Sequence, residues 1–153
     1  MGFQKTLMLL AVLTAAPTST EKVDRFEELY CLANNIYFES RNQPKLGRIA
    51  VGQVTMNRVN SKKFPDTVCG VVKQGGERRN RCQFSWYCDG KSDEHEGGTA
   101  WDESVYLALL IYSEEFTIDV TEGALWYHAT YVSPAWAEHY EKTVRINEHI
   151  FYR

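Results

Sequence analysis

Glu39 is the residue best suited to chemistry, because it follows the aromatic pair Tyr37-Phe38 near the end of a segment with helical periodicity. At about 100° per residue, Glu39 falls on the rim of a mostly apolar helix face. That face carries Phe26, Leu29, Ala33, Ile36, Tyr37 and Ser40. A carboxyl group on such a rim is partly desolvated, which raises its pKa and allows proton donation near neutral pH. Periodicity alone favours the plainer alternative, a solvated glutamate at a helix end.

Proton donation by a glutamate is typical of glycosidic bond cleavage, in which a second carboxylate usually assists. No pattern singles out a second carboxylate among Asp66, Asp89, Asp102 and Glu138. A lytic transglycosylase avoids this requirement, since the sugar's own 6-hydroxyl attacks the anomeric carbon and one glutamate acts as acid and then as base. A transglycosylase reaction at Glu39 would therefore need no second carboxylate.

Other catalytic classes have weaker support in the sequence. The four histidines, at positions 95, 128, 139 and 149, form no HExxH pattern, and no Gly-x-Ser-x-Gly motif occurs. We therefore expect no metal and no cofactor, and keep a zinc-dependent hydrolase and a non-catalytic glycan-binding module as alternatives.

Aromatic residues make up 13% of the chain. They concentrate in Phe84-Ser85-Trp86-Tyr87 and in Trp126-Tyr127-His128, which fit sugar stacking and core packing equally well. The net charge of −3 argues against a nucleic-acid partner, because such proteins usually carry a basic balance.

A length of 153 residues predicts one domain with a substantial core. The fold class we predict is α+β, mainly α, with a small β element near the C-terminus. The predicted elements are helices over 23–41, 45–60 and 99–116, a short helix capped by Asp66 and ending near Lys73, an extended segment over 123–128, a helix start at 134–138, and a hairpin of 143–146 with 149–152. The helix over 45–60 is apolar around most of its circumference, so its Gln53, Asn57 and Arg58 must find partners or line a groove. The stretch 105–112 is expected to be interior as well.

The first 20 residues resemble a secretory signal peptide, with Lys5 before the apolar run Leu7–Leu13 and small residues up to Pro17. The run is too short for a comfortable membrane span. We therefore predict a signal peptide over 1–20, a catalytic domain over 21–153 without a stable membrane span, and export to the periplasm, cell wall or extracellular space.

Four cysteines follow this segment, at positions 31, 69, 82 and 88. An even number in an exported chain predicts one or two disulfides, and three pairings are open. Since three of the four lie within 20 residues of one another, a staple on that loop is the favoured arrangement.

Several blocks of the sequence, taken in order, resemble the SleB-type cell wall hydrolases. The blocks are Leu32 to Arg41, Gly47 to Val59, Phe64 to Cys69, Cys82 to Trp86, Gly123 to His128, Pro134 to Trp136 and His149 to Tyr152. The resemblance implies a compact lysozyme-like or transglycosylase-like domain that acts on the muramic acid–glucosamine strand of peptidoglycan. Its catalytic glutamate corresponds to Glu39, and Ser40 stands where alanine is frequent.

The resulting hypothesis is an exported, monomeric lytic transglycosylase whose catalytic residue is Glu39. The expected substrate-binding residues are Gln83, Ser85, Trp86, Tyr127, His128 and Trp136, with Trp86 and Trp136 as stacking faces. Because members of the family have also been labelled amidases, a zinc-dependent N-acetylmuramoyl-L-alanine amidase is the main alternative.

Overall fold

The structure is a computed structural model, and it describes residues 18–153. The predicted signal peptide therefore lies outside the described residues, apart from its last three positions. The first helix, α1, spans Ser19–Ser40 and begins earlier than the sequence predicts. Thr18 and Glu21 form a capping box, in which each side chain accepts a hydrogen bond from the other residue's backbone N–H.

Three more α-helices pack around α1. They are α2 at Lys45–Val59, α3 at Val68–Val72 and α4 at Gly98–Tyr112. Two 3-10 helices occupy Ser85–Cys88 and Ala135–His139. The main apolar core forms where the helices meet, around Leu32 and Ile36 of α1. Buried residues cover most of the circumference of α2, so its predicted central position is confirmed.

The helix ends correct two details of the prediction. Thr67, not Asp66, caps α3, because the Thr67 hydroxyl accepts a hydrogen bond from the N–H of Gly70. Helix α4 starts at Gly98 rather than Thr99 and stops at Tyr112 rather than Phe116. The chain takes a left-handed conformation at Glu114, with φ 59°, which a continuing α-helix excludes.

The expectation that 105–112 is interior holds for one face of α4 only. Leu107 and Ile111 are buried, whereas Tyr106 and Leu109 are 54% and 48% exposed. The buried positions face α1 and α2.

The C-terminal part forms a three-stranded antiparallel sheet in the order β1-β3-β2. The strands are β1 at Trp126–Ala129, β2 at Lys142–Ile146 and β3 at His149–Tyr152. The predicted hairpin of β2 and β3 is confirmed. It turns at Asn147, whose φ of 51° suits asparagine better than most residues.

The two faces of this sheet have different environments. Tyr127 pairs with Phe151, and both point towards the helices, where Phe151 is fully buried against Ala50 and Val54 of α2. Successive residues of a strand point to opposite faces. Trp126 and His128 therefore lie on the face directed away from Phe151.

Two disulfides join the four cysteines. Cys31–Cys69 links α1 to α3, and Cys82–Cys88 closes the loop that contains the first 3-10 helix. The predicted loop staple is therefore present, and the pairing that the sequence leaves open is defined. Between residues 18 and 153 no helix is both long and apolar enough to cross a membrane.

Candidate active site

Glu39 occupies the last turn of α1, with its side chain partly buried. Its Oε2 accepts a hydrogen bond of 2.8 Å from the hydroxyl of Tyr127. Burial raises the pKa of Glu39, while the Tyr127 hydrogen bond and the positive charge of Arg58 act in the opposite direction. In the structure, as predicted, Glu39 is partly desolvated at the rim of a helix face. The next residue, Ser40, is buried, and its hydroxyl donates a hydrogen bond to the carbonyl of Ile36. Its side chain is therefore satisfied within the helix.

Tyr127 reaches Glu39 from the inner face of the sheet. Its ring packs against Phe151 and edge-on against His149, with centroid separations of 5.5 and 5.2 Å. Burial and the neighbouring carboxyl group raise the pKa of Tyr127 well above its ordinary value. The phenol is therefore protonated at any working pH and serves as a fixed hydrogen-bond donor to Oε2.

Arg58, near the end of α2, carries a positive charge that lowers the pKa of Glu39. It is 2% exposed, and its Nε donates to the carbonyl of Leu125 at 2.7 Å. The guanidinium lies over the rings of Phe64 and Phe84, at 5.2 and 5.0 Å from their centroids. Within the described residues its Nη1 has no hydrogen-bond partner. The sequence indicates that Arg58 needs a partner, but its proximity to Glu39 depends on tertiary structure.

Trp86 stands beside the end of α1. Its indole Nε1 donates to Asn35 Oδ1 at 2.9 Å, and its ring stacks on Phe38 with a centroid distance of 4.7 Å. Asn35 in turn donates to the hydroxyl of Thr55, which ties Trp86 to the buried interface of α1 and α2. The tryptophan is thus both a packed residue and part of the protein surface.

A cleft of about 380 Å³ opens between these two aromatic residues and the loop that follows. We call it the Phe38–Trp86 cleft. Its other lining residues are Tyr37 and Arg41 of α1 and its C-cap, and Asp89, Lys91, Ser92, Asp93, Glu94 and Glu96 of the loop. Phe38 directly precedes Glu39 in the chain, but Glu39 itself is not among the residues that line the cleft.

Asp89 is the one member of the four second-carboxylate candidates that lines this cleft. Its Oδ1 accepts a hydrogen bond from the backbone of Lys91 at 2.8 Å. Asp66, Asp102 and Glu138 are exposed. Within residues 18–153 no group of three or more His, Cys, Asp or Glu side chains is arranged to hold a metal ion.

The other predicted binding residues are divided between two regions. Gln83 and Ser85 are exposed on either side of the buried Phe84, in the loop that also carries Trp86. None of the described hydrogen bonds joins their side chains to Glu39. Their contact with substrate stays a prediction.

His128 and Trp136 lie on the sheet face opposite Tyr127. The Nδ1 of His128 donates to the carbonyl of Ala129 at 2.8 Å, so Nε2 is the acceptor for the hydroxyl of Tyr152 at 2.9 Å. Trp136 packs edge-on against His128 and Tyr152, with centroids 5.6 and 5.5 Å away. The structure brings these two residues to each other and not to Glu39, and their role in substrate binding stays a prediction.

Comparison with known proteins identifies the family. The cell wall hydrolase family matches residues 42–152. The chain belongs to this family. A spore cortex-lytic enzyme of Bacillus subtilis is 32% identical over 126 residues, which is 81% of this chain and 37% of the relative. A spore cortex-lytic enzyme of Bacillus cereus is 49% identical over 45 residues, 29% of this chain and 17% of the relative. The chain thus spans well under two thirds of these relatives' length.

Two solved structures share the fold. The catalytic domain of the Bacillus cereus SleB protein has a TM-score of 0.63 at 29% identity, covering 84% of this chain and 91% of that one. The catalytic domain of the germination-specific lytic transglycosylase SleB from Bacillus anthracis has a TM-score of 0.64 at 29% identity, covering 90% and 100%. The predicted fold class, mainly α with a small β element, is confirmed, as is the predicted family.

Proposed function

We propose that this cell wall hydrolase is a lytic transglycosylase that cleaves the muramic acid–glucosamine bond of peptidoglycan, with Glu39 as its catalytic residue. The observation that carries the proposal is the environment of Glu39. Burial favours its protonated form, and the hydroxyl of Tyr127 donates a hydrogen bond to one of its oxygens. The spore cortex-lytic relatives and the lytic transglycosylase of Bacillus anthracis support the same reaction.

The geometry assigns the two carboxyl oxygens different tasks. Tyr127 occupies Oε2, so the transferable proton belongs on Oε1. In the first step Oε1 gives this proton to the glycosidic oxygen, and the bond from that oxygen to the anomeric carbon breaks. In the second step the 6-hydroxyl oxygen of muramic acid bonds to the anomeric carbon, and its proton returns to Glu39. The products are an anhydro-muramic end and a free glucosamine hydroxyl, and Glu39 is again protonated.

Arg58 and Tyr127 stabilise the intermediate state of this cycle. Between the two steps Glu39 is a carboxylate in a partly buried position, which is unfavourable without compensation. The Arg58 charge and the Tyr127 hydrogen bond both favour that carboxylate. Because these effects oppose burial, Glu39 is held in neither its protonated nor its ionised form and can release a proton.

We also propose export of the protein, with residues 1–20 as the signal peptide. Two disulfides between the four cysteines support an oxidising location outside the cytoplasm. Peptidoglycan, the proposed substrate, is found there as well.

Substitution of the acid tests the proposed function. Glu39→Gln keeps the size and the acceptor oxygen for Tyr127 but cannot transfer a proton, so clearing of purified cell walls should fall by at least ~10³-fold. The measurement is the loss of turbidity of a peptidoglycan suspension. The matched control is Glu138→Gln, an exposed glutamate, which should retain wild-type clearing. Clearing by Glu39→Gln at the wild-type rate would remove Glu39 from the mechanism.

The stability of the same variant, relative to the wild type, should change with pH in a defined direction. Because the folded-state pKa of Glu39 is raised, its stability contribution is complete below the unfolded-state pKa and is lost as the pH rises through the folded-state pKa. At neutral pH, Glu39→Gln should therefore unfold at a temperature equal to or above that of the wild type. The difference should vanish in acid, where Glu39 is neutral in both states.

A further inference from the structure

The chain that leads into β1 is attached to α2 by polar side chains. We call residues 118–125 the entry segment. Gln53 of α2 forms two hydrogen bonds of 2.9 Å with the backbone near the start of this segment. One turn further along α2, Asn57 donates to the carbonyl of Ala124 at 3.1 Å. Side chains four positions apart lie on one face of a helix, so this face of α2 holds the entry segment near both of its ends.

The end of the entry segment lies close in the chain to the residue that contacts the candidate acid. Asn57 and Arg58 donate to the carbonyl groups of the two residues that precede β1, at 3.1 and 2.7 Å. Tyr127 is the second residue of β1. β1 is an edge strand, and its pairing with β3 fixes its register within the sheet but not its distance from the helices. The two bonds to α2 therefore help to set the position of Tyr127 relative to the helices.

Asp119 orients the Asn57 side chain for this contact. Its Oδ2 accepts hydrogen bonds of 2.8 Å from the side-chain amide of Asn57 and from the N–H of Gly123. Its Oδ1 accepts hydrogen bonds from the backbone N–H and the hydroxyl of Thr121, at 2.8 and 2.6 Å. Thr121 is fully buried, and the chain takes a left-handed conformation at Gly123, with φ 78°. Two carboxylate oxygens thus bind four donors, which fixes the entry segment and the Asn57 amide together.

The side chain of Asp119 can accept all four hydrogen bonds because it is ionised. Burial raises the pKa of Asp119, but the hydrogen bonds from Thr121, Asn57 and Gly123 outweigh burial and leave the pKa below its usual value. An asparagine at this position has one acceptor oxygen and one NH₂ group. In Asp119→Asn, two of the four donors would therefore face another donor.

We propose that Asp119 is a positioning residue for Glu39, the candidate acid. Through Asn57 it fixes the end of the entry segment, and with it the hydrogen bond from Tyr127 to Glu39. This inference rests on the proposed function, and it adds a residue that acts on the acid through Tyr127. None of the hydrogen bonds among residues 18–153 joins Asp119 to Glu39 directly.

The direction in which the pKa of Glu39 moves separates positioning from a direct charge effect. Tyr127 from β1 and Arg58 from α2 both lower that pKa. His149 of β3 packs on Tyr127, and burial lowers its own pKa, so it is neutral at neutral pH. A displaced Tyr127 therefore raises the pKa of Glu39. Removal of the negative charge of Asp119 has the opposite sign, since loss of a nearby anion lowers the pKa of an acid.

The first experiment follows the carboxyl group of Glu39 by ¹³C NMR during a pH titration, without substrate. Asp119→Asn should raise the pKa of Glu39, as should Tyr127→Phe. In the protein that carries both substitutions the rise should be close to that of Tyr127→Phe alone, because the hydrogen bond that Asp119 positions is already gone. A lower or unchanged pKa in Asp119→Asn, or fully additive rises in the double variant, would overturn the proposal.

The second experiment measures the cleavage of soluble glycan strands by the same variants. Asp119→Asn should lower kcat about fivefold with little change in KM, the effect of one weakened hydrogen bond, and this loss should not add to that of Tyr127→Phe. The matched control is Ser104→Ala, which removes a buried hydrogen bond between α4 and Arg48 of α2. It should lower stability and keep the wild-type kcat. An equal fall of kcat in Ser104→Ala would assign the loss to stability and contradict the positioning role.

A milder variant keeps the test decisive if Asp119→Asn does not fold. Thr121→Val removes the hydroxyl that donates to Asp119 and keeps the backbone N–H bond. It should raise the pKa of Glu39 by less than Tyr127→Phe does, and an unchanged pKa in this variant would overturn the proposal.

The positioning role and the proposed reaction can fail separately. If the pKa of Glu39 follows the expected pattern but glycan strands are not cleaved, the proposed reaction fails and the positioning role stands. If the strands are cleaved but the pKa of Glu39 is the same in the wild type and in the folded variants of Asp119 and Thr121, the positioning role fails and the reaction stands.

Discussion

Glu39 and Tyr127 form the contact on which the proposed chemistry depends. They come from α1 and β1, 88 positions apart in the chain, and meet through one hydrogen bond of 2.8 Å. That bond orients the carboxyl group and also favours its ionised form, in opposition to burial. The phenol therefore influences both the position and the pKa of the acid.

Removal of the Tyr127 hydroxyl tests both effects. In Tyr127→Phe the ring still packs on Phe151, but the hydrogen bond that lowers the pKa of Glu39 is lost, so that pKa should rise. The descending limb of kcat/KM against pH, which follows deprotonation of the acid, should move to higher pH. The maximum should fall about tenfold because the carboxyl group is less well oriented.

The control for this variant is Tyr131→Phe, at a tyrosine that is 83% exposed. It should reproduce the wild-type pH profile. A limb that stays in place or moves to lower pH in Tyr127→Phe would show that Tyr127 does not act on the ionisation of Glu39.

Periodicity places Glu39 on the rim of a helix face, and the resemblance to the SleB-type hydrolases is what marks it as the candidate acid. The sequence does not separate Tyr127 from His128, because β1 is half-buried on both faces and both faces carry aromatic residues. Which of two successive strand residues points inward depends on what packs against the sheet. The approach of Arg58 to Glu39 depends likewise on how α2 and α1 pack.

At the level of elements, the two disulfides have different consequences. Cys31–Cys69 closes a separation of 38 residues and connects α1 to α3, whereas Cys82–Cys88 closes only 6 residues. Loop-closure entropy increases with loop length, which gives about 4 kcal/mol for the first bond and about 2 kcal/mol for the second. The short bond is nevertheless the one beside Trp86.

Paired substitutions should separate stability from activity. Cys31→Ala with Cys69→Ala should lower the free energy of unfolding more than Cys82→Ala with Cys88→Ala, by about 2 kcal/mol in urea titrations. The second pair should lose more wall-clearing activity among folded molecules, because it frees the loop that carries Trp86. A greater loss of stability from the short loop would contradict this division.

The elements differ in how well the sequence predicts them. Helix α2 and the hairpin of β2 and β3 follow from clear apolar patterns and a turn. The cap of α3 does not, because Asp66 and Thr67 are both good capping residues and only local backbone geometry selects Thr67. The cysteine pairing also needs the fold, since four cysteines allow three pairings.

For the molecule as a whole, the packing of the sheet against the helices determines whether the candidate active site can form. Glu39 belongs to the helical part and Tyr127 to the sheet, and Phe151 is the fully buried side chain between the sheet and α2. Tyr127 packs directly on its ring. Packing at this interface therefore supports both stability and the geometry of the acid.

Phe151→Ala should lower the free energy of unfolding by about 3–5 kcal/mol, a large part of the total for a domain of this size. Activity should fall as well at temperatures where the variant remains folded, because Tyr127 loses its support. Phe26→Ala, at a phenylalanine that is 69% exposed, is the matched control and should have little effect in urea titrations. An equal loss in the two variants would exclude a special role for the interface.

In the proposed reaction one glutamate, without a second carboxylate, cleaves the glycan by intramolecular attack of the 6-hydroxyl. Mass spectrometry of peptidoglycan digested by the purified protein distinguishes this reaction from hydrolysis and from amide cleavage. We expect muropeptides that end in anhydro-muramic acid and are lighter than hydrolysis products by about 18 Da, the mass of the water that hydrolysis adds. Reducing sugar ends, or stem peptides released from intact glycan, would contradict it.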